Sequence, residues 1–474
     1  MNFPFDGFSI FLLVFCTVFS LGMTFKPKLL LYVTTIFTLI VAGTVGYFSP
    51  TLKVSWWISY GEVFLLYFPV LNGLSSGKLK KAAIYSTLSA TLLLLLGSFF
   101  FISLFSTIIS GSPIIQIITA TKTYFMMGGL WLFLALYPLS EESVIFWLKI
   151  LWYIGLLQIL PVLYQYLFIR SWRIEHNINP VEAADSIVGT FGGSPVGGGL
   201  GAVLVFYLIV CLVVWLAFAK LKSFSWKKSL PVLFILWFPI LFTEVKAVFI
   251  YLPVAIIILY RRYSYQQPKK FLLILLSLVA VLIVMLFLWN FMYFGAQDKN
   301  FAFRLKRIFS YSFVLQPDKN NAVGKTRFSR ISVLQFWWQK HGLDNLSETL
   351  FGHGLGSSRT QGLVMGCEAI KWSGKKLDYT GLSTLLWEVG LLGTGFFLAM
   401  IVLFYVLAGK LSDNVSLPIW QRALADGLQA VMPLILLSLP YRNDIPFAAP
   451  MMFIIMGIFG LIFRLNNQLA EHAC

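Results

Sequence analysis

The chain has 474 residues, of which 58% are hydrophobic and only 12% charged, with a formal net charge of +17. A soluble domain carries roughly 25% charged residues, so this composition, with a mean hydropathy of +0.82, excludes a water-soluble globular fold: too little polar surface remains to cover its outside. The positive balance fits Lys- and Arg-rich loops against anionic headgroups; no zinc-finger spacing, basic heptad or RNA-binding signature accompanies it, so nucleic acid is not an expected partner while membrane lipids are.

Apolar runs long enough to cross a hydrocarbon core of roughly 30 Å recur along the chain. Backbone groups cannot go unpaired in lipid, so these runs are expected to be helices. They lie near 8–22, 29–48, 56–72, 83–108, 114–137, 144–169, 191–217, 230–243, 246–260, 271–294, 379–407, 420–440 and 446–463. The eighth and ninth are short and form either a hairpin or one broken helix. The predicted fold is therefore an all-α polytopic membrane protein, with about 12–13 transmembrane helices and one large external (periplasmic) loop containing short helices. Four regions follow: N-terminal helices over 1–170, central helices over 171–294, the external loop over 295–378 and C-terminal helices over 379–474. The first Lys is Lys26, after the first apolar run, so residues 8–22 are expected as a retained span.

Short basic loops set the orientation. Lys26 and Lys28, then Lys78, Lys80 and Lys81, then Lys220, Lys222, Lys227 and Lys228, then Arg261, Arg262, Lys269 and Lys270, and finally Arg464 all fall on one face, expected to be cytoplasmic. The acidic pair Glu141–Glu142 falls there as well and lends the rule no support. The opposite face receives residues 170–190 and the long polar stretch 295–378, with thirteen Lys or Arg and six Asp or Glu. That stretch is too long and too punctuated for a plain linker. Its middle, around Phe336, Trp337 and Trp338, predicts an amphipathic helix over 330–341 lying near the membrane surface.

Several segments carry candidate chemistry. The glycine-rich GTFGGSPVGGGLG of 189–201 opens the seventh span; it serves either close helix packing through small residues or a bent, re-entrant start that lets a ligand approach the backbone. TEVKAV, 243–248, puts Glu244 and Lys246 at a turn, as an interfacial pair or as charges at the mouth of a cavity. Arg327 and Arg330 are three apart on one helical face. LFGHGLGSSR, 350–359, places Gly352, Gly354 and Gly356 around His353; it is either a solvated turn or a nest of N–H groups for an anion, with Arg359 adding charge. The four histidines, His176, His341, His353 and His472, show no pair at metal-ligand spacing, and no Asp-x-Asp occurs, so no metal site is expected. Cys16, Cys211, Cys367 and Cys474 form no CxxC pair.

The order of these pieces carries a resemblance. A Gly-Thr-Phe-Gly-Gly start to one span precedes a Thr-x-x-cation start to another, ending at Lys246. A large loop follows, with Arg-x-x-Arg, a tryptophan helix and a Phe-Gly-x-Gly-x-Gly turn. Then comes DYTGLSTLLWEVGLLGTGFF from Asp378. This set, over roughly 186–407, resembles the O-antigen ligase and Wzy-type polymerase superfamily of bacterial envelope proteins. The resemblance implies a metal-independent, GT-C-type glycosyltransferase of the inner membrane with no cofactor. Its substrate would be an undecaprenyl-diphosphate-linked oligosaccharide, and other polysaccharide assembly proteins would be partners.

Family members carry a basic residue where Lys246 stands and an Arg where Arg330 or Arg327 stands. Without a metal, the growing charge on the diphosphate leaving group must be met by fixed cations. Arg359, His353, Gly352 and Gly354 are then candidates for substrate binding. Asp378, Glu244, His353 and His341 are candidates for the base that takes the acceptor hydroxyl proton. Ligases have a His followed by Asn, Ser or Gln shortly before the Gly-Leu-Leu-Gly; here the matching positions are Tyr379 and Thr380. That departure favours a polymerase, or a divergent branch with its base elsewhere, over a ligase of the usual kind. The alternative class is a lipid-linked glycan flippase or another polytopic transporter, for which no internal repeat is seen.

Overall fold

The computed structural model describes residues 6–49, 54–76, 87–176, 178, 180–221, 225–243, 245–294, 330–360, 364–373 and 375–473. Among them every regular element is helical. Nine helices are long and apolar enough to cross a bilayer, and three further apolar helices are shorter. In chain order the apolar helices up to residue 294 are α1 (Asp6–Met23), α2 (Pro27–Phe48), α3 (Val54–Ser75), α4 (Thr87–Ile109), α5 (Ile114–Leu136), α6 (Glu141–Glu175), α7 (Gly201–Lys220), α8 (Trp226–Phe242), α9 (Val248–Leu259) and α10 (Pro268–Phe294), of which α1, α8 and α9 are the shorter ones. Two short helices, α11 (Ser332–His341) and α12 (Leu346–Phe351), precede α13 (Gly381–Asp413), α14 (Ile419–Ser438) and α15 (Ala449–Ala473). The short eighth and ninth runs are two separate helices, α8 and α9.

Polar contacts sort the helix ends into two sets. Lys220, at the end of α7, lies 2.7 Å from Asp426 near the start of α14, and Arg261, just after α9, lies 3.2 Å from the same carboxylate. Gln421 of α14 donates to Gln468 of α15 at 3.4 Å, and Asn466 of α15 donates to Ser89 at the start of α4 at 2.7 Å. Arg464 donates to the carbonyl of Tyr137 just past α5 at 3.1 Å, and Tyr32 of α2 to the carbonyl of Ser143 at the start of α6 at 3.2 Å. The ends that carry Lys220, Arg261 and Arg464 thus belong to one end of the bundle. Residues 182–201, 245–247 and 441–443 gather at the other, where Tyr47 near the end of α2 donates to the carbonyl of Ser186 at 3.0 Å.

The seventh apolar run departs from expectation. The helix starts at Gly201, not near 191, because Gly189, Gly192, Gly193, Gly197 and Gly198 all have positive φ, which no helix tolerates. The segment is nonetheless buried: Val188 and Phe191 have no exposed surface. Its backbone groups are met by two glutamines of α6. Gln165 accepts from the amides of Val188 and Gly189, both at 2.8 Å, and donates to the Gly189 carbonyl at 2.9 Å. Gln158 accepts from the Thr190 amide at 3.0 Å and donates to its hydroxyl at 2.8 Å, and that hydroxyl donates to the Leu39 carbonyl at 2.6 Å. Gly43 of α2 lets the loop in: a Cβ there would stand 2.1 Å from the Thr190 carbonyl oxygen. This is the bent start, not the helix-packing glycine run.

The helix expected over 330–341 is α11, and its aromatic face meets protein. Phe336 and Trp337 are buried, Trp337 donates its indole N–H to the Leu386 carbonyl of α13 at 3.1 Å, and only Trp338 stays half-exposed. An apolar stripe of this width is as well matched to a helix face as to lipid, which the pattern alone does not separate.

Two expectations follow. If the basic end faces the cytoplasm, the exposed Cys367 thiol is on the outside: in a variant whose only cysteine is Cys367, an impermeant maleimide should label intact spheroplasts. A cysteine placed instead at the exposed Lys227 should react only after permeabilisation; the reverse pattern inverts the orientation. Second, Gln165→Leu strands three buried backbone groups, each costing about 1–3 kcal/mol. The detergent-solubilised variant should melt several degrees lower, and an unchanged melting temperature would show that the clasp is dispensable.

Candidate functional site

The glycine-rich start of α7 and the turns gathered at the same end of the bundle line a cavity of about 440 Å³. Asp185 and Glu182 come from the turn after α6, Gly199, Gly201 and Ala202 from the start of α7, and Val245 and Lys246 from the turn before α9. Arg330 comes from just before α11, Lys376 and Tyr379 from just before α13, and Tyr441, Arg442 and Asn443 from just after α14. Lys246, Arg330, Lys376 and Arg442 share this lining with Asp185 and Glu182, a formal surplus of two positive charges.

The cations are held in place. Arg330 donates from Nε to the Tyr441 carbonyl at 2.7 Å, and its guanidinium stacks over the Tyr441 ring at 4.4 Å. Arg442 lies 3.5 Å from the Asp444 carboxylate and 3.4 Å from the Gly199 carbonyl. Asp444 holds the Arg442 guanidinium above its usual range. Burial pushes the Asp185 carboxyl above the usual carboxylate range, and Arg442, Arg173 and Lys246 partly offset that push. Asp185 is thus an acid–base group within the field of several cations.

The structure brings together Lys246, Arg330 and Tyr379 from segments far apart in the chain. Glu244 and Arg327 lie outside the described residues. Asp378 is buried and turned away from the cavity lining: it accepts from the Thr360 amide at 3.1 Å and also from the Thr360 hydroxyl. Arg359, the residue before that threonine, stacks on Phe447 with its guanidinium 5.1 Å from the ring centroid and is not part of the lining. Its charge bears instead on a buried polar group inside the bundle, formed by Tyr60, Lys122, Tyr124 and Glu388. There Glu388 accepts from Tyr124 at 2.8 Å and from Ser358 at 2.7 Å, and the Lys122 ammonium sits 3.5 Å over the Trp57 ring.

The glycine turn is neither solvated nor open to an anion. The His353 and Gly354 amides donate to the carbonyls of Trp387 and Glu388 at 2.8 and 3.0 Å, and the Gly354 and Leu355 amides also reach Ser106 and Thr107 of α4 at 2.8 and 3.0 Å. Those α13 carbonyls are released by a kink at Gly390, where φ is 64°. Gly352 packs into the kink, since a Cβ on it would meet the Gly390 nitrogen at 2.6 Å. Gly352, Gly354 and His353 therefore join the loop to α13 and α4 and stay apart from the cavity.

Asp185, Glu182, Lys376 and Arg442 escaped the sequence reading. Arg442 had a signal: it stands in a short turn on the face that is otherwise poor in basic short loops. Asp185 had only its place in the 170–190 segment. No family model matches this chain, and no curated protein matches it.

Proposed function

We propose that this multi-pass protein is a glycosyltransferase that polymerises or transfers glycan units carried on undecaprenyl diphosphate at the outer face of the bacterial inner membrane, with polymerase favoured over ligase. One observation carries the reading: four cations from four separate chain segments converge on one polar cavity at the bundle end opposite Lys220, Arg261 and Arg464. A diphosphate diester has one ionised oxygen on each phosphate, which matches the surplus of positive charge. Charge-assisted hydrogen bonds to such oxygens are roughly twice as strong as neutral ones. In the proposed reaction the acceptor hydroxyl oxygen bonds to the anomeric carbon as the bond from that carbon to the diphosphate oxygen breaks. The electron pair leaves with the diphosphate, where Lys246, Arg330 and Arg442 meet its growing charge. The hydroxyl proton passes to a carboxylate, for which Asp185 is the residue of choice because it lines the same cavity and burial favours its protonated form.

The glycolipid profile of a deletion strain tests the class of function. Single repeats accumulating on the carrier support the polymerase, finished polymer left on the carrier supports the ligase, and an unchanged profile favours transport. With the purified enzyme, Lys246→Ala and Arg330→Ala should each lower transfer at least about tenfold while leaving expression unchanged, since losing one partner of a buried ionic contact costs roughly 2–5 kcal/mol. Activity near that of the parent in both variants would remove the diphosphate from this cavity. The pH dependence has a definite sign. A base must be deprotonated, so transfer should rise with pH through an acidic limb set by Asp185, and that limb should lie above the ordinary carboxylate range. Asp185→Asn should abolish the limb along with most activity; a limb unmoved by that change would assign the base elsewhere.

A further inference from the structure

His341 closes α11 and His353 sits in the glycine turn, and folding brings their Nε2 atoms to 2.7 Å. The other nitrogen of the His341 ring is spoken for. His341 Nδ1 lies 2.8 Å from the Trp337 carbonyl, which can only accept, so Nδ1 carries the proton and Nε2 presents a lone pair. His353 Nδ1 lies 3.8 Å from the Glu368 carboxylate, within electrostatic reach but too far for a hydrogen bond. Glu348 completes the group: its Oε2 is 3.9 Å from His353 Nε2. One donor atom from each of His341, Glu348 and His353 falls within a 4.8 Å sphere of mutual distances. The rings are held by tryptophans, with Trp387 at 4.7 Å from the His341 ring and 5.6 Å from the His353 ring.

We propose that His341, His353 and Glu348 bind a zinc ion. Two imidazole nitrogens and one carboxylate form a donor set that suits zinc and disfavours magnesium or calcium, which prefer oxygen alone. Zinc bonds of about 2.0–2.1 Å to nitrogen hold tetrahedral ligand atoms roughly 3.3 Å apart. The imidazole pair therefore needs to part by about half an ångström, and the Glu348 side chain, 46% exposed, is free to swing in. The His341 nitrogen that points away meets the Trp337 carbonyl at 2.8 Å, the kind of outer partner that orients a zinc-bound histidine, and the Glu368 carboxylate stands 3.8 Å from the corresponding nitrogen of His353. The ion would tie α11 and α12 to the turn that grips the α13 kink. None of its ligands lines the cationic cavity, so the site does not depend on the glycan reading and adds no metal to that chemistry. Twelve residues separate the two histidines, which is why neither spacing rule nor motif exposes them.

The alternative is a bare hydrogen bond between two neutral imidazoles, toward which burial pushes both rings. Zinc titration of the full-length, chelator-stripped protein in detergent separates the two. Zinc should bind at one equivalent per chain and raise the melting temperature, and cobalt in its place should give the intense visible bands of a four-coordinate ion. Glu348→Gln, which leaves the imidazole pair intact, should weaken zinc binding at least about tenfold. His341→Ala should abolish it, and His176→Ala, at an exposed histidine elsewhere, should not change it. If His341→Ala fails to fold, Glu348→Gln alone decides. No saturable uptake, or uptake undiminished by Glu348→Gln, overturns the proposal.

Discussion

The constraint on which the rest of this molecule depends is the need to satisfy backbone hydrogen-bonding groups wherever the chain leaves the helical path among apolar helices. An unpaired amide in such surroundings costs several kcal/mol, so an irregular segment persists only when side chains replace the helical ladder. The molecule does this twice. Gln158 and Gln165 of α6 receive the glycine-rich start of α7. Ser106 and Thr107 of α4, with the carbonyls released at Gly390, receive the turn around His353. Gln165 opens a π-helical stretch, Gln165–Arg170, and the extra residue in such a turn changes which side chains face inward.

These two insertions explain why a cavity exists between the helix ends. A regular helix running straight into α7 would fill the volume that Asp185, Gly199 and Gly201 now border. The kink at Gly390 and the clasp around it fix the start of α13, whose first turn is closed by a reciprocal pair: Ser383 N–H to Thr380 at 3.0 Å, and Thr380 N–H to Ser383 at 3.1 Å. Tyr379 and Lys376 stand just ahead of that cap and line the cavity from that side. Fold and site are thus linked through backbone satisfaction rather than through a rigid hydrophobic core, which in such an environment gains little from burial against lipid.

The helices were legible in the sequence because length and apolarity are local properties; each expected run corresponds to a helix among α1–α10 and α13–α15. The convergence of Lys246 with Arg330 drew on order along the chain and on the chemistry of a diphosphate. What escaped was the fate of backbone N–H groups. A Gly-x-Gly-x-Gly turn reads the same whether its amides face solvent, an anion or the carbonyls of a kinked helix, and Gly390 gives no sign that it breaks α13. Asp378 reads as an available acid because nothing local marks Thr360, eighteen positions earlier, as its partner. Asp185 and Arg442 are unremarkable in sequence and acquire meaning only from each other's proximity. The pairing of His341 with His353 is of the same kind.

The direction of the helices adds a reason for the cavity to favour anions. Gly201, Lys246 and Tyr379 all stand at or just before helix starts, so α7, α9 and α13 each run away from the cavity toward the basic end. The partial positive charge of a helix N-terminus falls off within the first turn, which places three such ends where the cations already gather. In α13 the reciprocal cap takes the Thr380 and Ser383 amides, and the Gly381 and Leu382 amides donate to the carbonyls of Arg442 and Leu439 at 2.9 and 3.0 Å, so that helix contributes field and not hydrogen bonds. In α7 the residue before the helix, Leu200, donates to the Gly192 carbonyl and makes no side-chain cap. In α9 no side-chain cap is present either, and the Val248, Phe249 and Ile250 amides turn back to the carbonyls of Val245, Lys246 and Ala247 at 3.0–3.2 Å. Lys246 just before α9 and Gly201 at the start of α7 therefore bring the field of two helix starts alongside a cation to the cavity lining. The Asp185 carboxylate lines the same cavity and meets the same field, which lowers the cost of its charged form. Burial raises its titration and that field lowers it, and the net upward shift shows that burial prevails.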